Sequence, residues 1–140
     1  MQIKIKNQSR YELSNSQKAA RMFKSILLEE ERIDQDKEHF WVVGLTTQNK
    51  IKYIELVTLG ILDENLIHPR EVFRLAIMKG VASVIVCHNH PSGNCEPSEE
   101  DVIFTKKLKN ANDIIGINLL DHIIINTNNG YYSFADRGGI

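Results

Sequence analysis

Between Val86 and Asp101 the chain reads Val-Cys-His-Asn-His-Pro-Ser-Gly-Asn-Cys-Glu-Pro-Ser-Glu-Glu-Asp, and this run constrains the fold more than any other. An apolar stretch, Val84-Ile85-Val86, leads into the histidines, and a helical pattern starts at Ser98. Side chains of an extended segment alternate between faces, so His88 and His90 share one. Asp101 precedes Phe104 by three residues and Leu108 by seven, which puts it on the apolar face of the predicted helix. A carboxylate there is costly unless it is paired or bound to a cation. Pro91, Gly93 and Pro97 make the link between strand and helix a defined turn. The expected product is two imidazoles and one carboxylate converging on a divalent ion such as zinc, with a fourth position left for water.

Zinc lowers the pKa of such a water to about 7. Hydrolysis also needs a base for the water's proton and a donor for the developing oxyanion. Ser98 is the candidate donor, and Glu38, just before the apolar run from Phe40, is the candidate base. Ser98-x-x-Asp101 is also the pattern of a helix capping box. Cys95, in the loop between the ligands, offers a thiolate that would turn the site from hydrolytic to structural. Cys87, on the apolar strand, reads as a small buried hydrophobe.

The rest of the chain fits a mixed sheet flanked by helices, an α/β or α+β sandwich. Ile3 and Ile5 alternate with lysines as an edge strand or arm, one that a second copy could pair with. Ala19, Met22, Phe23, Ile26 and Leu27 follow a cap between Ser14 and Ser16 at helical spacing, and a polar run from Glu29 to Lys37 ends that helix. Residues 38–59 read as a hairpin turning at Gln48-Asn49. Pro69 opens a helix that Gly80 ends, with Val72, Phe73, Ala76 and Ile77 on its buried face. The helix from Ser98 sets Phe104, Leu108, Ala111 and Ile115 on one face and stops at Gly116. Strands near Leu120 to Ile125 and Tyr131 to Phe134 close the chain through Asn128-Asn129-Gly130.

At 140 residues the chain is one unit by length. Residues 1–35 supply an N-terminal strand and helix to the same unit, and residues 36–140 form the metal-binding domain. No segment approaches the run of about 20 apolar residues that spans a bilayer, and the amino end carries no secretory h-region. Two cysteines make no disulfide framework, so a cytoplasmic protein without membrane contact is expected. A net charge of −1, with no stripe of basic and aromatic residues, gives nucleic acid thin support as a partner.

His88-Asn89-His90-Pro91 followed by Ser98-Glu99-Glu100-Asp101 resembles the JAMM motif of the JAB/MPN metalloproteases, His-x-His-Pro, six residues, Ser-x-x-Asp. The strings His-Asn-His-Pro-Ser-Gly, His68-Pro69-Arg70-Glu71-Val72-Phe73 and Leu120-Asp121-His122-Ile123-Ile124-Ile125 resemble the bacterial RadC family more narrowly, as does the closing Tyr132-Ser133-Phe134-Ala135-Asp136-Arg137-Gly138. The resemblance covers residues 35–140. It implies a JAB/MPN-like, cytidine-deaminase-like sandwich with one zinc ion per chain on His88, His90 and Asp101. It places Ser98 on the serine that supports the tetrahedral intermediate and Glu38 on the JAMM glutamate, with Glu71 as the competing carboxylate. Family members generally carry an N-terminal helical region, so this chain looks like a stand-alone catalytic-type domain.

Three classes of function follow. The first is a zinc hydrolase cleaving a peptide, isopeptide or amide bond in a peptide or protein substrate. The second, implied by the family name, is a factor associated with DNA repair or recombination. The third is a metal-bearing binding module without turnover. Specificity in such a site would come from the loops at Asp63 to Leu66 and Gly93 to Glu96.

Overall fold

Alternation of buried side chains along the central strands decides the layering. The computed structural model describes residues 1–60 and 67–140, so the Asp63 to Leu66 loop lies outside the described residues. The elements are β1 (Gln2–Ile3), a 3₁₀ turn (Gln8–Arg10), α1 (Ser16–Leu28), α2 (Arg32–Gln35), β2 (Glu38–Leu45), β3 (Ile51–Gly60), α3 (Pro69–Lys79), β4 (Ser83–Asn89), α4 (Glu99–Ile115), β5 (Asn118–Ile125) and β6 (Tyr131–Ser133). The strands form one mixed sheet in the order β1-β3-β2-β4-β5-β6. Among the described residues only β4 and β5 run parallel, joined by α4 as the crossover that a parallel pair requires.

Trp41, Val43, Leu45, Ile85, Cys87, Ile123 and Ile125 face one side and bury α1 through Ala19, Phe23, Ile26 and Leu27. Phe40, Val42, Val84 and Val86 face the other, where α3 brings Val72, Phe73 and Ala76 and α4 brings Phe104 and Leu108. The result is an α+β sandwich with helices on both faces of the sheet, as the apolar pattern predicts. β1 pairs with the chain's own β3, so the amino-terminal arm is used within the fold.

Local signals explain most boundaries. Asn15 caps α1 by accepting from the Lys18 amide at 2.8 Å. α3 starts with Pro69 at its first position, and its cap is His68, whose Nδ1 accepts from the Arg70 amide. Gly80 and Gly116 end α3 and α4 in the left-handed region, at φ 64° and 81°. Three differences from the sequence pattern stand out. Ile77, expected on the buried face of α3, is 58% exposed one position past Ala76, where the helix has turned toward solvent. α2 occupies part of the polar run after α1, and Ile115 is 38% exposed on α4. Asn112 takes its place on the inner face, because its Oδ1 receives the Leu119 amide at 2.7 Å and starts β5.

Gly44 pairs with Tyr53 across β2 and β3. A Cβ on Gly44 would lie 2.1 Å from Tyr53 Cε1, and that ring is buried with nowhere to move. Gly44→Ala is expected to cost about 2–3 kcal/mol by overpacking. In chemical denaturation, Gly44→Ala with Tyr53→Val should cost less than the sum of the single changes. Strict additivity would show that the ring is not what Gly44 makes room for.

Candidate metal centre

β4 delivers the first imidazole inside the strand: His88 is 1% exposed. His90 follows the strand end, where its amide donates to the Ile125 carbonyl at 2.9 Å and ties the turn to β5. Asp101 stands in the first turn of α4 and is 2% exposed. β2 pairs antiparallel with β4, Phe40 opposite His88 and Trp41 opposite Cys87. Glu38 begins β2 two residues before Phe40, on the same face of the sheet, and its charge is felt by His90.

The donor atoms converge. His88 Nε2 and His90 Nε2 are 3.0 Å apart. Asp101 Oδ1 is 3.3 Å from His88 Nε2, and Oδ2 is 3.3 Å from His90 Nε2. One donor atom from each residue lies within 4.8 Å of the other two, so the cluster could hold a metal ion. A tetrahedral zinc with bonds of about 2.0–2.1 Å separates its donors by about 3.3 Å. The nitrogen–nitrogen and Oδ1 edges are close to that value.

Chemistry of the donors points the same way. His90 Nδ1 lies 2.7 Å from the Asn94 carbonyl, which can only accept, so Nδ1 donates and a neutral ring keeps its lone pair on Nε2. That lone pair looks into a buried corner beside a carboxylate and a second imidazole nitrogen. Such a corner needs positive charge, from a proton or from an ion. The pKa of His90 is accordingly raised, first by its hydrogen bond to Asp101, then by the Asn94 carbonyl and the charges of Asp101 and Glu38, with burial opposing. Two imidazoles and a carboxylate form a set that divalent ions from zinc to manganese and iron accept.

With this geometry in hand, comparison with known proteins is decisive. The family model described as "RadC-like JAB domain" matches residues 13–139. The chain belongs to the RadC-like JAB domain family. A UPF0758 protein of Desulforamulus reducens is 47% identical over 112 residues, covering 80% of this chain and 49% of the relative. UPF0758 proteins of Listeria monocytogenes and Chlorobium phaeovibrioides are 48% and 50% identical over 102 and 104 residues, covering 73% and 74% of this chain. The RadC-like chain spans about half the length of these curated relatives, at 49%, 45% and 46%.

Of the other residues singled out in the RadC-like sequence, Ser98 adjoins Asp101 and the rest lie outside the donor cluster. Ser98 and Asp101 form a reciprocal capping box: the Asp101 amide donates to Ser98 Oγ at 3.1 Å, and the Ser98 amide to Asp101 Oδ2 at 2.9 Å. Oδ1 is the oxygen left to face His88. Glu71 lies on α3 between Arg70 and Arg74, at 3.8 and 3.7 Å, and its charge is felt by Glu55 of β3. Cys95 stands outside the donor cluster. Its thiol lies 3.9 Å from where a Cβ on Gly130 would be, and burial pushes its pKa up. Cys87 is fully buried beneath α1. Lys106 and Lys107 are exposed and Lys109 is half-buried on α4. No helix among the described residues is long and apolar enough to cross a membrane.

Beside the centre, Asn89 and His39 carry no functional signal in the sequence, whereas His122, after Asp121, reads there as a structural histidine or one that supports a ligand. Asn89, between the two histidines, clamps the main chain at the start of β2. Its Oδ1 accepts from the His39 amide at 2.6 Å, and its Nδ2 donates to the Lys37 carbonyl at 2.9 Å, on either side of Glu38. His39 is wholly buried, stacked on Trp41 with ring centroids 4.9 Å apart. Its ring nitrogens meet the Lys37 carbonyl at 2.8 Å and Glu30 Oε2 at 2.6 Å. Behind His88 lies His122, its Nε2 2.8 Å from His88 Nδ1, and Thr105 lies beyond it. Burial, then the neighbouring His88, keeps the His122 pKa well below the ordinary imidazole value.

Proposed function

We propose that this RadC-like JAB domain is a zinc-dependent hydrolase of the JAMM type, cleaving a peptide, isopeptide or amide bond in a peptide or protein substrate. The observation that carries this reading is the meeting of two imidazole nitrogens and a buried carboxylate, with a second carboxylate, Glu38, on the same face of the sheet. His88, His90 and Asp101 would hold one zinc ion per chain. Bound there, the ion supplies a Lewis acid for the scissile carbonyl and a pKa of about 7 for a water.

The chain's own groups do the rest. Glu38 takes a proton from the attacking water on its carboxylate and returns it to the leaving nitrogen. Ser98, whose oxygen accepts the Asp101 amide, still has a hydroxyl hydrogen to donate to the developing oxyanion. Asn89 holds the backbone on both sides of Glu38 and so fixes where that carboxylate starts. Both cysteines are free thiols, which favours a reducing compartment such as the cytoplasm.

Metal content per chain, measured on protein purified without added metal beside His88→Ala, tests this reading. About one zinc in the wild type, lost in the variant, together with chelator-sensitive cleavage in a panel of linear and isopeptide-linked peptides, is the expected result. No metal in the wild type after zinc is added back would overturn it.

A further inference from the structure

Thr105 Oγ1 has a single hydrogen, and two contacts compete for it. One is the Asp101 carbonyl, 2.7 Å away within the same turn of α4; the other is His122 Nδ1, also at 2.7 Å. A carbonyl only accepts, so the hydroxyl hydrogen goes to Asp101, and Thr105 Oγ1 accepts from His122 Nδ1–H. The His122 ring is 1% exposed and its two nitrogens meet a hydroxyl and another imidazole. A neutral ring that donates from Nδ1 carries its lone pair on Nε2, 2.8 Å from His88 Nδ1. His88 must then donate from Nδ1, which leaves the lone pair of its own Nε2 facing His90 and Asp101.

We propose that Thr105 and His122 are positioning residues that lock His88 into the tautomer able to bind a metal ion, so that a threonine two side chains from the ion sets the affinity of the centre. The chain of bonds starts at the carbonyl of Asp101, so one turn of α4 supplies the carboxylate donor and also anchors the tautomer of the imidazole opposite it. His90 is held by a different device, the Asn94 carbonyl of the loop. The two histidines are therefore oriented independently, one from the helix and one from the turn. Contacts of this kind behind a ligating histidine change metal affinity by about 10- to 100-fold.

This inference rests on the metal reading, and the test separates the two. Zinc affinity is measured by competition with a chromogenic chelator for wild type, Thr105→Ser and Thr105→Val. Long-range ¹H–¹⁵N spectra of the metal-free wild type report which ring nitrogen of His88 and of His122 carries hydrogen. Thr105→Ser keeps the hydroxyl and should bind as the wild type does, whereas Thr105→Val should bind about 10- to 100-fold more weakly. Both rings should show Nδ1–H. Wild-type affinity in Thr105→Val, or Nε2–H on either ring, would overturn the relay. If Thr105→Val does not fold, the wild-type spectra still decide. A wild type that binds no zinc would sink the proposed hydrolase instead, and the tautomers would judge the relay alone.

Discussion

Glu38→Gln lowers the rate of bond cleavage by about 10²- to 10⁴-fold and leaves metal content unchanged. The side chains differ by one group, an amide in place of a carboxylate, so shape and reach are kept while the basic oxygen is lost. Glu38 begins β2, two residues before the Phe40–His88 pair, and its charge is felt by His90, so the change falls near the donors without removing one. The Asn89 clamp holds the backbone at Lys37 and His39 and is indifferent to the side chain between them. Elemental analysis and turnover of the same preparation check both halves. Full activity with full metal would remove Glu38 from the mechanism and direct attention to Glu71.

Asp101→Asn is expected to empty the centre while sparing the helix, and Asp101→Ala to damage both. The carboxylate serves helix and centre together: Oδ2 receives the Ser98 amide and lies 3.3 Å from His90 Nε2, and Oδ1 faces His88 Nε2 at 3.3 Å. Asparagine keeps an oxygen for the capping bond but brings no negative charge to a buried pair of imidazoles. Metal content should fall from about one ion per chain to near none, with the denaturation midpoint of the metal-free protein little changed. Alanine removes the reciprocal capping bond as well, which costs about 1 kcal/mol at a helix start. An asparagine variant that retains its metal would show that Asp101 serves the helix alone.

Much of this was readable because each signal was both local and chemical. His88 and His90 share a face by the period of an extended chain, and Asp101 stands out as a carboxylate on an apolar helix face. Pro69, Gly80 and Gly116 mark their boundaries through backbone constraints that a sequence displays directly. What stayed hidden depends on partners distant in the chain or on main-chain atoms. The Asn94 carbonyl that orients His90 has no side-chain signature. His39 looks like a strand-edge histidine until Glu30, nine residues earlier, is seen against its Nε2. Thr105 reads as a neutral interruption of the face that holds Phe104 and Leu108, yet it sits one helical turn after Asp101, the one hint available. α2 buries no side chain, so it leaves no periodicity to find.

The three donors lie within one strand–loop–helix segment, whereas His122 is 34 residues from His88 along the chain. An unfolded chain therefore already carries a chelating stretch, because closing so short a loop has a small entropic cost. Binding to the unfolded state offsets part of what an ion adds to the native one. On the proposed zinc reading, the stabilisation an ion would confer is consequently smaller than its native affinity alone would give. On that reading, a metal added during refolding would find this local stretch before the distant His122 is in place behind His88.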